Sequence, residues 1–348
     1  MVRVLIVDDS PTLRILIRRI LDSDPEIRVV GEAANGEEAI ALCRKLNPDI
    51  ITMDIHMPRM DGYETIRHIM AEMPRPVVVL TTTESDIKLE TTYKAIESGA
   101  LMVLGKPKGM PDIDPEAGSL ISQIKAMADV KVVRRTRWSR MDQPKMPGKA
   151  VVPRDSRLQP VQLVTVGVST GGPPALQVIL NRLPAGFSAS ILVVQHMSRG
   201  FINGLATWLN ETTPLLVKVA QPYEKLKLGT VYLAPDEKHL AVTADGSVWL
   251  KSMPLVDGHC PSATVLFESA AAGNASKTAG VLLTGMGSDG ARGLKTLHDA
   301  GGYTIAQDEA SCIIFGMPKE AIAMGAVNEV LPLEMISNRL KQLVNSEQ

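Results

Sequence analysis

Aromatic residues make up only 3% of the 348-residue chain, too few for a surface that binds single strands by base stacking. Cysteine is almost missing. Cys43, Cys260 and Cys312 are odd in number, widely spaced and without a CxxC pair. That leaves no disulfide framework and points to a reducing compartment. No stretch approaches the ~20 consecutive apolar residues that span a bilayer. The apolar run in Met1–Asp9 is too short for a signal peptide and ends in two acids. Neither charge sign dominates, with a formal net charge of -1, so nucleic acid and membrane insertion are both disfavoured as partners. What remains is an ordinary globular composition, 45% apolar and 22% charged. The expected setting is cytoplasmic, and the length suits two domains.

The first 128 residues alternate short apolar runs with amphipathic stretches. Strands are expected at Val2–Val7, Val29–Ala33, Ile50–Asp54, Val77–Thr81 and Leu101–Leu104, with helices at Thr12–Leu21 and Gly36–Lys45 among the segments between them. This alternation predicts a (βα)5 domain with a parallel sheet over residues 1–128. Residues 129–160 read as an exposed basic linker, with nine Lys/Arg against two acids between Val130 and Pro160. A second, doubly wound and mainly parallel α/β domain is expected over 161–346. Its strands are Val161–Val168, Ala189–Gln195, Ala279–Thr284 and Tyr303–Ala306. The runs Val231–Ala234, His239–Val242 and Ser247–Leu250 read as short antiparallel strands.

Polar residues sit at the strand ends of the first domain. Asp8 and Asp9 follow the first strand, Asp54 closes the third, Thr81 closes the fourth, and Lys106 follows the fifth. Parallel strands bring all of these to one sheet edge. Three crowded carboxylates repel one another, so a divalent cation is expected among them, and hard oxygen donors suit Mg²⁺. A metal and a lysine beside one carboxylate would stabilise the charge of a transferring phosphoryl group.

The second domain carries Gly167-Val-Ser-Thr-Gly-Gly172 between a strand and a helix. Glycines around Ser169 permit a sharp turn at a helix N-terminus, where developing negative charge is favoured. A serine needs a base. His196 ends the next strand, and Asp289 lies in Leu283-Thr-Gly-Met-Gly-Ser-Asp-Gly290 after a later one. Ser169, His196 and Asp289 therefore form a candidate nucleophile, base and orienting acid, with a glycine-freed amide nearby to receive an oxyanion. A dinucleotide turn is disfavoured because Ser169 replaces the middle glycine. The order serine, histidine, acid also fails the α/β-hydrolase pattern. His259 is the competing histidine. His239 reads as a rim or packing residue and His298 as structural, while His56 and His68 belong to the first domain.

Two resemblances follow from these strings. The first domain resembles response-regulator receivers through Val7-Asp-Asp-Ser10, Met53-Asp-Ile-His-Met-Pro-Arg-Met-Asp-Gly62 and Lys106-Pro107. The resemblance implies that Asp54 accepts the phosphoryl group. Asp8, Asp9, Asp54 and the backbone of His56 would ligate Mg²⁺, while Thr81 and Lys106 would contact the phosphoryl group. Histidine at 56 and Val103 in place of an aromatic switch residue depart from the family pattern.

The second domain resembles the CheB family of chemotaxis receptor methylesterases from about Val161 to Glu334. The strings are Gly167-Val-Ser-Thr-Gly-Gly-Pro173, Gln195-His-Met197, Tyr232-Leu-Ala-Pro235, His259-Cys-Pro-Ser262, Leu283–Gly290 and Ala306–Pro318. The resemblance adds the Met286 amide as oxyanion donor and Thr170 as support for His196. It implies glutamyl methyl esters on methyl-accepting chemoreceptors as substrate, with glutamine deamidation at the same site. It also implies a CheA-type histidine kinase as phosphodonor, and control by a shift between closed and open arrangements. No cofactor is expected for the ester chemistry. The rival readings are a non-catalytic receptor-binding scaffold and a transcriptional regulator. The second lacks a helix-turn-helix.

Overall fold

A computed structural model describes residues 1–81, 94–128, 130, 132 and 160–344. The basic linker lies almost wholly outside these residues. The chain divides into two compact units, one holding residues 1–79 and the other 159–348.

The first sheet contains β1 (Val2–Val7), β2 (Ile27–Ala33), β3 (Ile50–Asp54), β4 (Val77–Thr81) and β5 (Met102–Gly105) in the order β2-β1-β3-β4-β5. β1 runs parallel to both β2 and β3. β3 and β4 are buried along their whole lengths, which explains their largely apolar sequences: helices cover both faces of a parallel sheet. The motif residues also end helices. Ser10 caps the helix Pro11–Asp22 by accepting from Leu13 N–H, and Asp61 caps Gly62–Glu72 by accepting from Glu64 N–H. The strand order reverses between β1 and β3, so their following loops part and leave a crevice.

The second sheet has seven strands, β6 (Leu163–Val168), β7 (Ser190–Gln195), β8 (Leu216–Val219), β9 (Thr230–Leu233), β12 (Thr278–Leu282), β13 (Tyr303–Gln307) and β14 (Glu329–Leu331), in the order β14-β13-β12-β6-β7-β9-β8. β10 (His239–Val242) and β11 (Val248–Lys251) form a separate antiparallel hairpin. One sequence expectation is corrected. The segment read as Val231–Ala234 is parallel, not antiparallel, because β9 pairs in parallel with both β7 and β8. The helix Ile202–Thr212 and the edge strand β8 precede it, and they supply the crossover that the sequence reading lacked.

The reversal of strand order now falls at β6. The chain builds outward from β6 through β7 and β9, then returns to place β12 on the other side of β6. The pairing runs on past the strand ends. Leu283 N–H donates to Gly167 O, Ser169 N–H to Thr284 O, and His196 N–H to Val168 O. Three loops are thereby held level at the carboxyl edge of the sheet. Beneath them lies a core that includes Leu192, Val194, Leu266, Phe267 and Leu282, each fully buried. Among the described residues no helix is long and apolar enough to cross a membrane.

Candidate active site

Ser169 leaves β6 and enters the helix Gly172–Asn181 within three residues. The left-handed backbone of this turn falls on Gly171, at φ 78°, and no positive φ occurs at Ser169. The serine is therefore carried without backbone strain of its own, unlike the strained elbow that the Gly-x-Ser-x-Gly spacing suggests. Its backbone is fixed on both sides: N–H to Thr284 O at 3.0 Å, and C=O accepting from Gly172 N–H at 2.9 Å. Gln195 adds a clamp. Its buried side-chain amide donates to Ser169 O and to His196 O, both at 2.8 Å. The serine loop and the histidine loop are thus tied by one amide group.

His196 Nε2 lies 2.8 Å from Asp289 Oδ2. Asp289 is itself fully determined. Oδ1 accepts from Ser262 Oγ at 2.7 Å and from Thr264 N–H at 3.1 Å, and Oδ2 accepts from Ala263 N–H at 2.7 Å. These three residues open the helix Ala263–Asn274, whose N-cap Ser262 makes no capping bond of its own. The carboxylate takes up N–H groups that a helix leaves unpaired at its start. Burial alone would raise the Asp289 pKa. The His196 hydrogen bond and charge, the Ser262 hydroxyl and the Ala263 N–H outweigh that and hold it well below the usual carboxylate range.

Because Asp289 is ionised and acceptor-only, Nε2 must carry the hydrogen, and Nδ1 is the lone-pair nitrogen. Nδ1 is buried and has no hydrogen-bond partner, so the Ser169 hydroxyl does not reach it in the free protein. Catalytic hydrogen bonds commonly tighten only when substrate binds. Thr170 is 2% exposed, and its hydroxyl is likewise unpartnered. The Thr170 hydroxyl and His196 Nδ1 thus make no hydrogen bond with each other in this arrangement. The Met286 N–H donates to no backbone acceptor, whereas the Ser169 N–H is already taken by Thr284. Gly285 brings the Met286 turn against the serine, since a Cβ built on it would stand 2.7 Å from Ser169 Cβ.

The sequence reading missed Gln195 and the Ser262–Thr264 helix start as parts of the site. The strings Gln195-His-Met197 and His259-Cys-Pro-Ser262 were their signals. It also left His239 on a rim or in packing. His239 is fully buried. Its Nε2 lies 3.1 Å from Pro254 O, and its Nδ1 accepts from Ser262 N–H at 3.2 Å.

In the first unit, Asp8, Asp9 and Asp54 have ligand atoms within 4.8 Å of one another. Asp8 and Asp54 are buried, at 1% and 4% exposure, and Asp9 is exposed. Asp54 Oδ1 accepts from Ile55 N–H at 2.7 Å, and Asp8 Oδ1 from Ser10 N–H at 2.8 Å. Three carboxylates in so small a space are a hard-oxygen donor set of the kind Mg²⁺ takes. The His56 side chain is exposed. Thr81 ends β4 and Lys106 follows β5; both are buried and joined by Lys106 N–H to Thr81 O at 2.8 Å.

Together these features define a receiver-coupled hydrolase: an acidic pocket at one sheet's reversal point, and a serine beside a histidine–carboxylate pair at the other's. Comparison with known proteins narrows the class. Residues 164–340 match the model of the CheB methylesterase, and residues 4–116 that of the response regulator receiver domain. The chain is 44% identical to protein-glutamate methylesterase/protein-glutamine glutaminase 1 of Syntrophus aciditrophicus, with 99% of each chain covered. It is 45% identical to enzyme 4 of the same name from Geobacter metallireducens, again over 99% of each. The crystal structure of the Thermotoga maritima CheB methylesterase catalytic domain matches with a TM-score of 0.52 at 41% identity. That match covers 53% of this chain and 100% of that one. The chain belongs to the CheB family of methylesterases with an N-terminal receiver domain.

Proposed function

We propose that this chain is a phosphorylation-activated protein-glutamate methylesterase and protein-glutamine glutaminase, with Ser169 as nucleophile, His196 as base and Asp289 as its orienting acid. The observation that carries the reading is the 2.8 Å bond from His196 to a carboxylate fixed by three further donors, on the loop level with Ser169. Ser169 Oγ attacks the glutamyl ester carbonyl while its proton passes to His196 Nδ1. Negative charge on the carbonyl oxygen is met by the Met286 N–H, which no protein acceptor occupies. Thr170, whose hydroxyl is buried and free, steadies the histidine as it becomes imidazolium. The imidazolium returns the proton to the departing methoxide, and methanol leaves. Water then attacks the acyl-serine, gives its proton to His196, and releases glutamate and Ser169. With glutamine the first leaving group is ammonia.

Asp54 is assigned as phosphoacceptor, with Thr81 and Lys106 contacting the phosphoryl oxygens. Asp8, Asp9, Asp54 and the His56 carbonyl would hold Mg²⁺, which when bound neutralises charge on the transferring group. The implied partners are cytoplasmic chemoreceptor helices as substrate and a CheA-type histidine kinase as donor. The domains run over 1–128 and 161–346, joined by 129–160.

Methanol release from methylated receptor, measured with and without acetyl phosphate and Mg²⁺, tests the reading. Ser169→Ala should lower turnover by on the order of 10⁴-fold or more. Asp54→Ala should leave basal turnover intact and remove the response to acetyl phosphate. Undiminished methanol release by Ser169→Ala would show that the nucleophile lies elsewhere.

A further inference from the structure

The His196 ring is held by one hydrogen bond, through Nε2 to Asp289. A single bond leaves an imidazole free to pivot about the Nε2···Oδ2 line, and pivoting would swing Nδ1 away from Ser169. Something else must fix the plane of the ring. The ring of His259 lies parallel to it, with centroids 3.9 Å apart and an interplanar angle of 4°. We propose that His259 is a positioning residue of this site, a flat neutral face that fixes the plane of His196 and so aims Nδ1 at the serine.

The placement of His259 is itself over-determined. Val256 and His259 exchange both backbone hydrogen bonds, each 3.0 Å. Between them stand Asp257 and Gly258 with φ of 52° and 80°, the pair of left-handed residues that a two-residue type I′ turn requires. The turn is tied to the catalytic acid's own surroundings. Thr264 Oγ1 donates to Asp257 Oδ2 at 2.8 Å, while Thr264 N–H donates to Asp289 Oδ1. Gly290 N–H, next to Asp289, donates to Thr264 Oγ1 at 2.8 Å. His259 and Asp289 thus take their positions from one shared residue.

Charge supports a face rather than a second base. Burial first, and then the neighbouring His196, push the His259 pKa down, against the pull of Asp289 and Asp257. These influences favour the neutral form of His259 beside a protonated His196. A neutral π-system parallel to a cationic ring is attractive, and two cationic rings would not be.

This inference rests on His196 being the base, so the experiment carries a His196→Ala arm. Full-length enzyme, treated with acetyl phosphate and Mg²⁺, is assayed for kcat and KM on methylated receptor. The rate at which a small fluorophosphonate labels Ser169 is measured alongside. Displacing a base by about 1 Å costs on the order of 10²-fold, so His259→Leu should lower kcat and the labelling rate by that order with KM unchanged. His259→Phe, which restores a flat neutral ring, should recover most of both. His259→Ala should match the Leu variant, and circular dichroism confirms folding of each. Equal activity in Phe and Leu variants overturns the proposal, as does a loss that appears only in KM. If His196→Ala stays active, the assignment of the base has failed, and the proposal with it. If only His196→Ala is impaired, the base stands and the positioning role falls.

Discussion

Asp289→Asn replaces one carboxylate oxygen with an NH₂ group, and the four donors around it decide where that group settles. In the Oδ2 place it would face Ala263 N–H and His196 Nε2–H, neither of which accepts. In the Oδ1 place it would face Thr264 N–H and the Ser262 hydroxyl, which can turn and accept. The second orientation leaves one buried N–H unpaired instead of two, so the amide oxygen should stay on His196. An unpaired buried donor costs about 1–3 kcal/mol, which lowers the melting temperature of a domain this size by roughly 2–12 °C. The tautomer survives, but the charge that stabilises the imidazolium is gone. Two unit charges near contact distance interact by about 4 kcal/mol at an effective dielectric of about 20, which is on the order of 10³-fold in rate. The assays are methanol release and differential scanning calorimetry across pH. Because the folded pKa of Asp289 is depressed, its contribution to stability is full above the unfolded carboxylate value of about 4 and is lost as pH falls below it. The gap in stability between wild type and variant should therefore narrow in acid. A variant within tenfold of wild-type turnover, or a gap that widens as pH falls, refutes the reasoning.

Gly285→Ala puts a methyl 2.7 Å from Ser169 Cβ and 2.4 Å from Met317 Sδ. Displacement of the serine should lower kcat by about 10-fold to 10²-fold while secondary structure, followed by circular dichroism, is retained. The thiols should be slow. Burial pushes the Cys312 thiol up to about 12 and raises Cys43 as well, and burial followed by the Glu237 charge raises Cys260. In a disulfide-exchange titration at pH 8 the native protein should release its thiols slowly, with Cys312 last. In urea all three should react at once, and three rapid equivalents in the native state would contradict this.

The strand-end residues were legible in the sequence for a physical reason. A parallel sheet puts every strand's carboxyl end on one edge, so Asp8, Asp54, Ser169 and His196 could be gathered without knowing the strand order. Strand order is what the sequence left hidden. It places β12 beside β6 and so brings the Met286–Asp289 loop level with Ser169. β8, β9 and β14 carry only three or four residues each, too short for alternation to show direction or partner, and β9 was accordingly misread as antiparallel. The helix start at Ser262 carries no local sign of its role. Its real partner is 27 residues away at Asp289, beyond the reach of local pattern. The parallel faces of His196 and His259 depend on a tertiary contact that no spacing encodes.

The first turn of the helix Ala263–Asn274 has no cap except Asp289. The acid that orients the histidine thus also finishes a structural element, and selection for folding and for chemistry falls on the same atoms. Ser169 differs. Its backbone is tied to Thr284, Gly172 and Gln195, but its hydroxyl carries none of those bonds. Evolutionary drift toward an inactive, receptor-binding descendant would therefore begin at the serine, and a dead copy would still display its aspartate. In this fold the acid is a poor witness to activity, and the hydroxyl is the residue to inspect.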